Sequence, residues 1–528
     1  MLFTARQFDF DNASSFDTVV IGAGAVGLTL AIRLAREGHR VALLEAGPEK
    51  PAAASQNLFH TARAVGHPLP GLHLGRFRNL GGTTAFWGGQ LVPFASQVFT
   101  NRPWVSGANW PISEAELAPH FTETFEILGL SQVLRDDAEI WRRLKVAPPP
   151  ETAEVQPIFT RWVPEPNLAI HFAAEIRSNP HLIALVDAQV AALDVADDGV
   201  VGSAEIVLPD LSRRRIHGRR FVLANGTIEI ARLLLMPAAA GMPAPWAINP
   251  WIGRGFIDHV DCVAGTVQPI DQRRFSDIFD NAFLDGIKYN PKLRLADEVQ
   301  RREQLLEISG HFIFKSSISE SISNLKILFK GMMRGKFSRK GLGNPLALLG
   351  TLRFVLPMIL RYLRYRRMLN FSDGGIQLRL TSEQRPMPDS RITLRESRDV
   401  LGLPEVDVDW RIDSRDLETI RRFALLLKDY LETNRIADVV VDPRLAAGDP
   451  AFIAEIDDAN HQMGGARMAS SAEEGVVDRN CQVFGSRNLY VAGQAVYPTS
   501  GFGNPTFTAI SLGQRLAAHF VALDRKES

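Results

Sequence analysis

Three glycines are the first residues with a spacing that could do chemistry. Gly22, Gly24 and Gly27 stand in "FDTVVIGAGAVGLTLAIRLAREGHRVALLEAG", between an apolar run and a helical one, and Glu45 follows 23 residues after the first of them. The spacing suits a dinucleotide. Gly22 permits a tight turn, Gly24 lets backbone N–H groups approach a pyrophosphate at a helix N-terminus, and Gly27 lets that helix lie close on its sheet. Glu45 is placed to accept hydrogen bonds from a ribose diol, and an acid there disfavours a 2′-phosphate. The motif does not separate FAD from NAD; its place near the start of the chain tilts the reading toward FAD.

Such a site needs a strand, a turn, a helix and a second strand in that order, and the apolar spacing predicts them. Residues 75–94, "GRFRNLGGTTAFWGGQLVPF", are glycine-rich and suited to close backbone approach to a flat ligand, with an ordinary turn-rich loop as the alternative. After a polar, proline-containing region to about 180, "HLIALVDAQVAALDV", "GSAEIVLP" and "RRFVLANGTIEIARLLL" read as strand, strand, and strand-turn-helix. "RNLYVAGQAVYP" is one more buried strand, and "GFGNPTFTAI" sets Asn504 as an N-cap before Pro505 at the start of the last helix. A nucleotide domain assembled from separated pieces is implied. Residues 376–410 alternate as strands outside it, and "DLETIRRFALLLKDYLETN" reads as a helix.

The 528 residues, 45% of them hydrophobic, suffice for two or three domain-sized cores. Lys plus Arg and Asp plus Glu both number 59, so net charge gives no reason to expect a nucleic-acid partner. Only Cys262 and Cys481 are present, far apart, which supports neither a disulfide framework nor a cysteine metal site, and no metal is expected. A reducing cytoplasm fits this usage, as does an N-terminus without a basic-then-apolar run. The most apolar stretch, "PLALLGTLRFVLPMIL", is too short for a span and contains Arg353 and Pro357.

Together, "VVIGAGAVGLTLAIRLAREGHRVALLEAG", "RNLGGTTAFWGG", "FVLANGTIEIARLLL", "IGRGFIDH", "HQMGGARM" and "NLYVAGQAVYPTSGFGNPTFT" resemble the glucose-methanol-choline (GMC) family of FAD-dependent oxidoreductases. "GRGFIDH" and "EQRPMPDSRITL" look most like its branch that oxidises sugars and glycosides. The resemblance implies an α/β fold: a Rossmann-type FAD-binding domain from residues 14–95, 180–262 and 456–528, and a substrate domain with an antiparallel sheet and helices from 96–179 and 263–455. It further implies that Gly81, Gly82, Thr83 and Thr84 lie along the flavin, that Val190 meets the adenine through its backbone, and that Gly493 and Gln494 approach the cofactor's linker. Some relatives attach FAD through a histidine in the GG-x-x-x-x-W segment. Phe86 holds that place here, so non-covalent FAD is expected. Asn225, Gly465 and Ala466 depart from the commoner family residues and leave the substrate class open.

The family's catalytic pair matches His461 and Asn504, 43 residues apart. Oxidation of an alcohol needs a group to take the hydroxyl proton while a hydride leaves the carbon for flavin N5, and a neutral imidazole suits the first task. His461 is assigned to it, with Asn504 holding the same oxygen. The N-terminus of the last helix, at Pro505 and Thr506, would stabilise negative charge on reduced flavin. The implied reaction is oxidation of a CH–OH group of a small-molecule alcohol, a sugar or glycoside, with the electron acceptor undetermined. Alternatives are an FAD-containing lyase of the same fold, like the hydroxynitrile lyases, and an oxidoreductase of a lipid or sterol alcohol at a membrane surface. The last draws on a basic insert at 315–367, with twelve Lys or Arg against Glu320 alone. Its mixture of apolar helical spacing and cations reads as a solvated helix pair over the substrate mouth, as peripheral contact with the inner membrane surface, or as a site for an anionic substrate.

Overall fold

The computed structural model describes residues 1–105, 109–239, 241–316 and 356–527. Strand Phe16–Ile21 lies parallel to Val41–Leu44 on one side and to the end of Arg213–Leu223 on the other. Its "VVI" is buried throughout because helices cover both faces of a parallel sheet. Among the described residues this sheet has eight strands. Leu2–Thr4, Leu182–Val186, Val41–Leu44, Phe16–Ile21 and Arg213–Leu223 run in that order, with Leu489–Val491 parallel on Arg213–Leu223. Val201–Val207 and Gln189–Val195 continue it as an antiparallel meander. Helix Ala25–Arg36 starts directly after the glycine turn and packs against the last helix, Pro505–Glu527, so both ends of the chain meet on this sheet.

The second sheet has nine strands among the described residues and is antiparallel. Its path is Ala437–Val441, Val260–Pro269, Ile376–Ser382, Ile308–Phe314, Ile287–Leu295, Val155–Trp162 and Gln90–Leu91, with two short strands beside it. Helix Ser414–Thr433 begins at a capping box of Asp413 and Asp416 and lays Leu417, Ile420, Phe423, Ala424, Leu427 and Leu431 on one face. Leu378, Leu380 and Gly310 point toward that helix, since a Cβ at Gly310 would meet Leu427, Leu380 and Leu378. Strand side chains alternate, so the intervening residues face the other way, toward the first sheet. A small third sheet joins Arg391–Arg398 to Pro404–Asp409 and, in parallel, to Ala62–Ala64.

Residues 317–355 of the basic insert lie outside the described residues. At its end, residues 356–365 are helical, Arg361 donates to Asp277 and Asp280, and Leu360 and Leu363 are exposed. Among the described residues, no helix is long and apolar enough to cross a membrane.

Candidate active site

A cavity of about 680 Å³ runs from the glycine turn to the second sheet. Gly22, Gly24, Glu45, Gly82, Thr83, Thr84, Val190, Gly493, Gln494, Thr506, His461 and Asn504 all line it. Three other residues singled out in the sequence do not. Gly27 sits behind the wall, where a Cβ would come within 1.9 Å of the Gly22 carbonyl oxygen, so it holds the helix to the turn. Gly81 has φ +93° and turns the loop into Gly82–Ala85. Pro505 opens the last helix, and its carbonyl accepts a 2.7 Å bond from the Tyr497 hydroxyl.

The glycine turn is built as its spacing requires. Gly22 has φ +102°, which favours glycine, and Gly24 faces open space where a Cβ would stand. Glu45 accepts from the N–H of Ala23 at 3.1 Å and of Gly47 at 2.8 Å. Burial pushes its carboxyl up to about 7 against those bonds. Nearby, Asn225 Oδ1 is buried without a hydrogen-bond partner among the described residues, and it too lines the cavity. An orphaned acceptor, a glycine facing open space and a carboxylate beside the turn fit a large ligand bearing hydroxyl and phosphate groups.

At the far end, His461 is held from three sides. Its backbone N–H donates to both oxygens of the buried Asp258, at 2.9 and 3.0 Å. Asn504 Nδ2 stands 3.1 Å from His461 Nε2, and His259 Nδ1 stands 2.9 Å from His461 Nδ1. An amide nitrogen only donates, so Nε2 of His461 carries a lone pair and its proton sits on Nδ1, donated to His259. Burial, reinforced by the charge of Lys292, lowers the His461 pKa to about 3, and burial puts His259 well below its usual range. Both imidazoles are neutral at pH 7. The Asn504 amide is thus turned to His461, and no bond from it to the first-turn N–H groups of the last helix occurs among the described residues.

The loop that carries Asn504 is anchored from beneath by buried charges. Arg102 makes a two-pronged ion pair with Glu383, 2.7 Å on each side, and also donates to the Ser500 carbonyl at 3.2 Å. Glu307 accepts from the N–H of Phe502 at 3.1 Å.

The model of the FAD dependent oxidoreductases matches residues 17–130, and that of the GMC oxidoreductases matches residues 386–513. The chain is an FAD-dependent oxidoreductase that ends in a GMC oxidoreductase C-terminal domain. The chain is 21% identical over 579 residues to 2-methyl-1,2-propanediol dehydrogenase of Mycolicibacterium austroafricanum, covering 96% of the chain and 95% of that relative. It is also 21% identical over 585 residues to the fructose dehydrogenase large subunit of Gluconobacter japonicus, covering 95% and 97%. Pyridoxine 4-oxidase from Mesorbium loti shares its fold, with a TM-score of 0.56 at 16% identity over 96% of this chain and 99% of that one. The turn, Glu45 and Asn225 are therefore the part of the cavity that suits FAD.

Sequence reasoning did not single out Asp258, His259, Arg102, Glu307 or Lys292. Asp258 and His259 lay inside the quoted "IGRGFIDH" with no role attached, and the acid-histidine pair was the available signal. Arg102, Glu307 and Lys292 belong to no motif, and only the fold brings them near His461 and Asn504.

Proposed function

We propose that the chain oxidises the CH–OH group of a sugar, glycoside or related alcohol, with His461 as the base and Asn504 as the positioning group. The observation that carries this reading is the hydrogen-bonded line Asn504–His461–His259 at the end of the cavity, which leaves the Nε2 lone pair of His461 directed at the side where Asn504 also points. FAD, when bound, supplies the acceptor for the hydride. Gly22, Gly24, Glu45, Gly82, Thr83, Thr84, Val190, Gly493 and Gln494 would hold it, in a domain drawn from 14–95, 180–262 and 456–528.

A substrate hydroxyl that takes the place of the Asn504 amide on Nε2 gives its proton to the imidazole, and the amide then holds the same oxygen. His259 accepts from Nδ1 throughout, which keeps Nε2 free to receive the proton and spreads the charge of the imidazolium that forms. With neutral imidazole already favoured by burial, no deprotonation precedes the reaction at pH 7. Thr506, in the first turn of the last helix, lines the cavity, and the partial positive charge of that helix end would favour a reduced, anionic cofactor. Phe86, stacked on Phe77 at 3.6 Å between centroids, offers no nucleophile at the place of the linking histidine, which supports non-covalent FAD.

The test is an anaerobic titration of the oxidised holoenzyme with a panel of sugars, glycosides and simple alcohols. Bleaching of the flavin band by one class is expected, and His461→Ala should retain FAD yet bleach about 1,000-fold more slowly. A flavin band that no member of the panel bleaches would count against the reading, as would a His461→Ala enzyme of undiminished rate.

A further inference from the structure

The face of the second sheet that meets the cavity at Trp162 carries, farther along its strands, a row of cations that the reaction as described does not use. Gln90, on its edge strand, and Trp162, on the strand beside it, line the cavity together with His461 and Asn504. Trp162 is paired with Lys288, whose Nζ lies 3.4 Å from the centre of the indole, so Lys288, Asn290 and Lys292 share that face by alternation. The ladder that pairs Leu293 with Gly310 sets Lys292 against His311 at the next rank, and His311 is paired in turn with Arg379. Three basic side chains thus stand side by side on three neighbouring strands.

Like charges in such a row repel, and one acid answers them. Asp261 accepts a 2.7 Å bond from Arg379, which occupies it. Lys292 is only 6% exposed and its ammonium makes no hydrogen bond or ion pair among the described residues, and the Nδ1 of His311 and the hydroxyl of Ser309 beside it are buried without partners there. An ammonium that no acid pairs with is stabilised when an anion binds against it. The groups facing Lys292 are Asp261, Arg379, His311, His259 and His461, and none of them supplies a free negative charge.

We propose that Lys292, with His311 beside it, binds an anionic group of the substrate, so that the alcohol oxidised at His461 carries a carboxylate or phosphate on the side away from its reacting carbon. This rests on the oxidoreductase reading of the same site. It narrows the substrate to acidic alcohols such as aldonates, uronates or sugar phosphates.

The experiment uses the holoenzyme and its Lys292→Met variant with three matched probes: glucose, glucuronate and glucose 6-phosphate. Two signals are read, perturbation of the oxidised flavin band for binding and anaerobic bleaching for oxidation. One or both acidic probes should act at concentrations at least about tenfold below glucose, and Lys292→Met should weaken the acidic probes on the order of 100-fold, well beyond any change in glucose. The two acidic probes tell a carboxylate site from a phosphate site. Because burial lowers the Lys292 pKa to about 8, the advantage in kcat/KM should disappear as pH rises through that value, with no such step for glucose. Lys292→Met should also raise the melting temperature, since it removes a charge that no acid pairs with.

Glucose acting as well as the acids in both enzymes would overturn the anion site and leave the oxidoreductase reading intact. Acids that perturb the wild-type flavin but not the variant's, with no probe bleaching it, would uphold the site and count against oxidation. No perturbation by any probe, or a variant that melts lower than the wild type, would overturn the proposal.

Discussion

The sheet at the glycine turn and the sheet behind the histidine pair meet the same cavity by opposite means. The first offers backbone: Gly22, Gly24 and Gly82 line the cavity, and one carboxylate, Glu45, stands at the end of a strand. The side chains of Val19, Val20 and Ile21 and of Val41–Leu44 are apolar and buried on both faces. The second offers side chains: Gln90 and Trp162 line the cavity, Lys292 and His311 follow them on the same face, and Leu378 and Leu380 of the same sheet turn to the helix behind. A wall of backbone suits a cofactor shared by many enzymes. A wall of side chains can be changed one residue at a time, which is where specificity for the substrate belongs.

The comparison breaks most severely on the backbone side. Gly27→Ala puts a carbon within 1.9 Å of the Gly22 carbonyl oxygen, and both partners are main chain, so neither can yield by changing rotamer. Helix and turn must separate, at about 3 kcal/mol or more. The expected outcome is protein that purifies without FAD, checked by the absorbance ratio of flavin to protein. A Gly27→Ala enzyme with full flavin content would mean that the close packing is not what holds the turn.

That half of the molecule was also the more legible in sequence, and the reason is the same. A backbone-built site needs glycines at fixed spacing within one continuous stretch, so Gly22, Gly24, Gly27 and Glu45 announce it together. The second sheet brings Lys292, His311 and Arg379 into one row from positions many residues apart, and no local pattern records which strands are neighbours. His461 and Asn504 were legible only through the family's motifs. Asn504 also shows the limit of local reading: its sequence context suggests a helix cap, and its amide is turned to His461 instead.

The side-chain wall should break more gently, through the loop beneath Asn504. Glu383→Gln leaves the buried Arg102 guanidinium without its counter-charge, and removing one partner of such a pair costs about 3 kcal/mol. The thermal midpoint should fall while FAD is retained. Because Arg102 also holds the Ser500 carbonyl, flavin reduction should slow as well, more through kcat than through KM. Loss of FAD with the stability would show that the two walls are not separable.

The smallest effect separates positioning from packing at His259. His259→Asn removes the imidazole that accepts from His461 Nδ1 and should lower kcat about tenfold, the worth of one hydrogen bond to a charged group, with KM little changed. Its second consequence is in acid. Both histidines are held neutral by burial, His461 down to about 3 from an ordinary 6.5, so between those values the unfolded chain binds more protons than the folded one. Stability is therefore complete above about pH 6.5 and drains away as pH falls through the window. With one of the two groups removed, the melting temperature of His259→Asn should decline less steeply than the wild type's between pH 6.5 and 4. A residue that only filled space would lower both curves in parallel, so the slope tells whether His259 acts through its ring nitrogen or through its bulk.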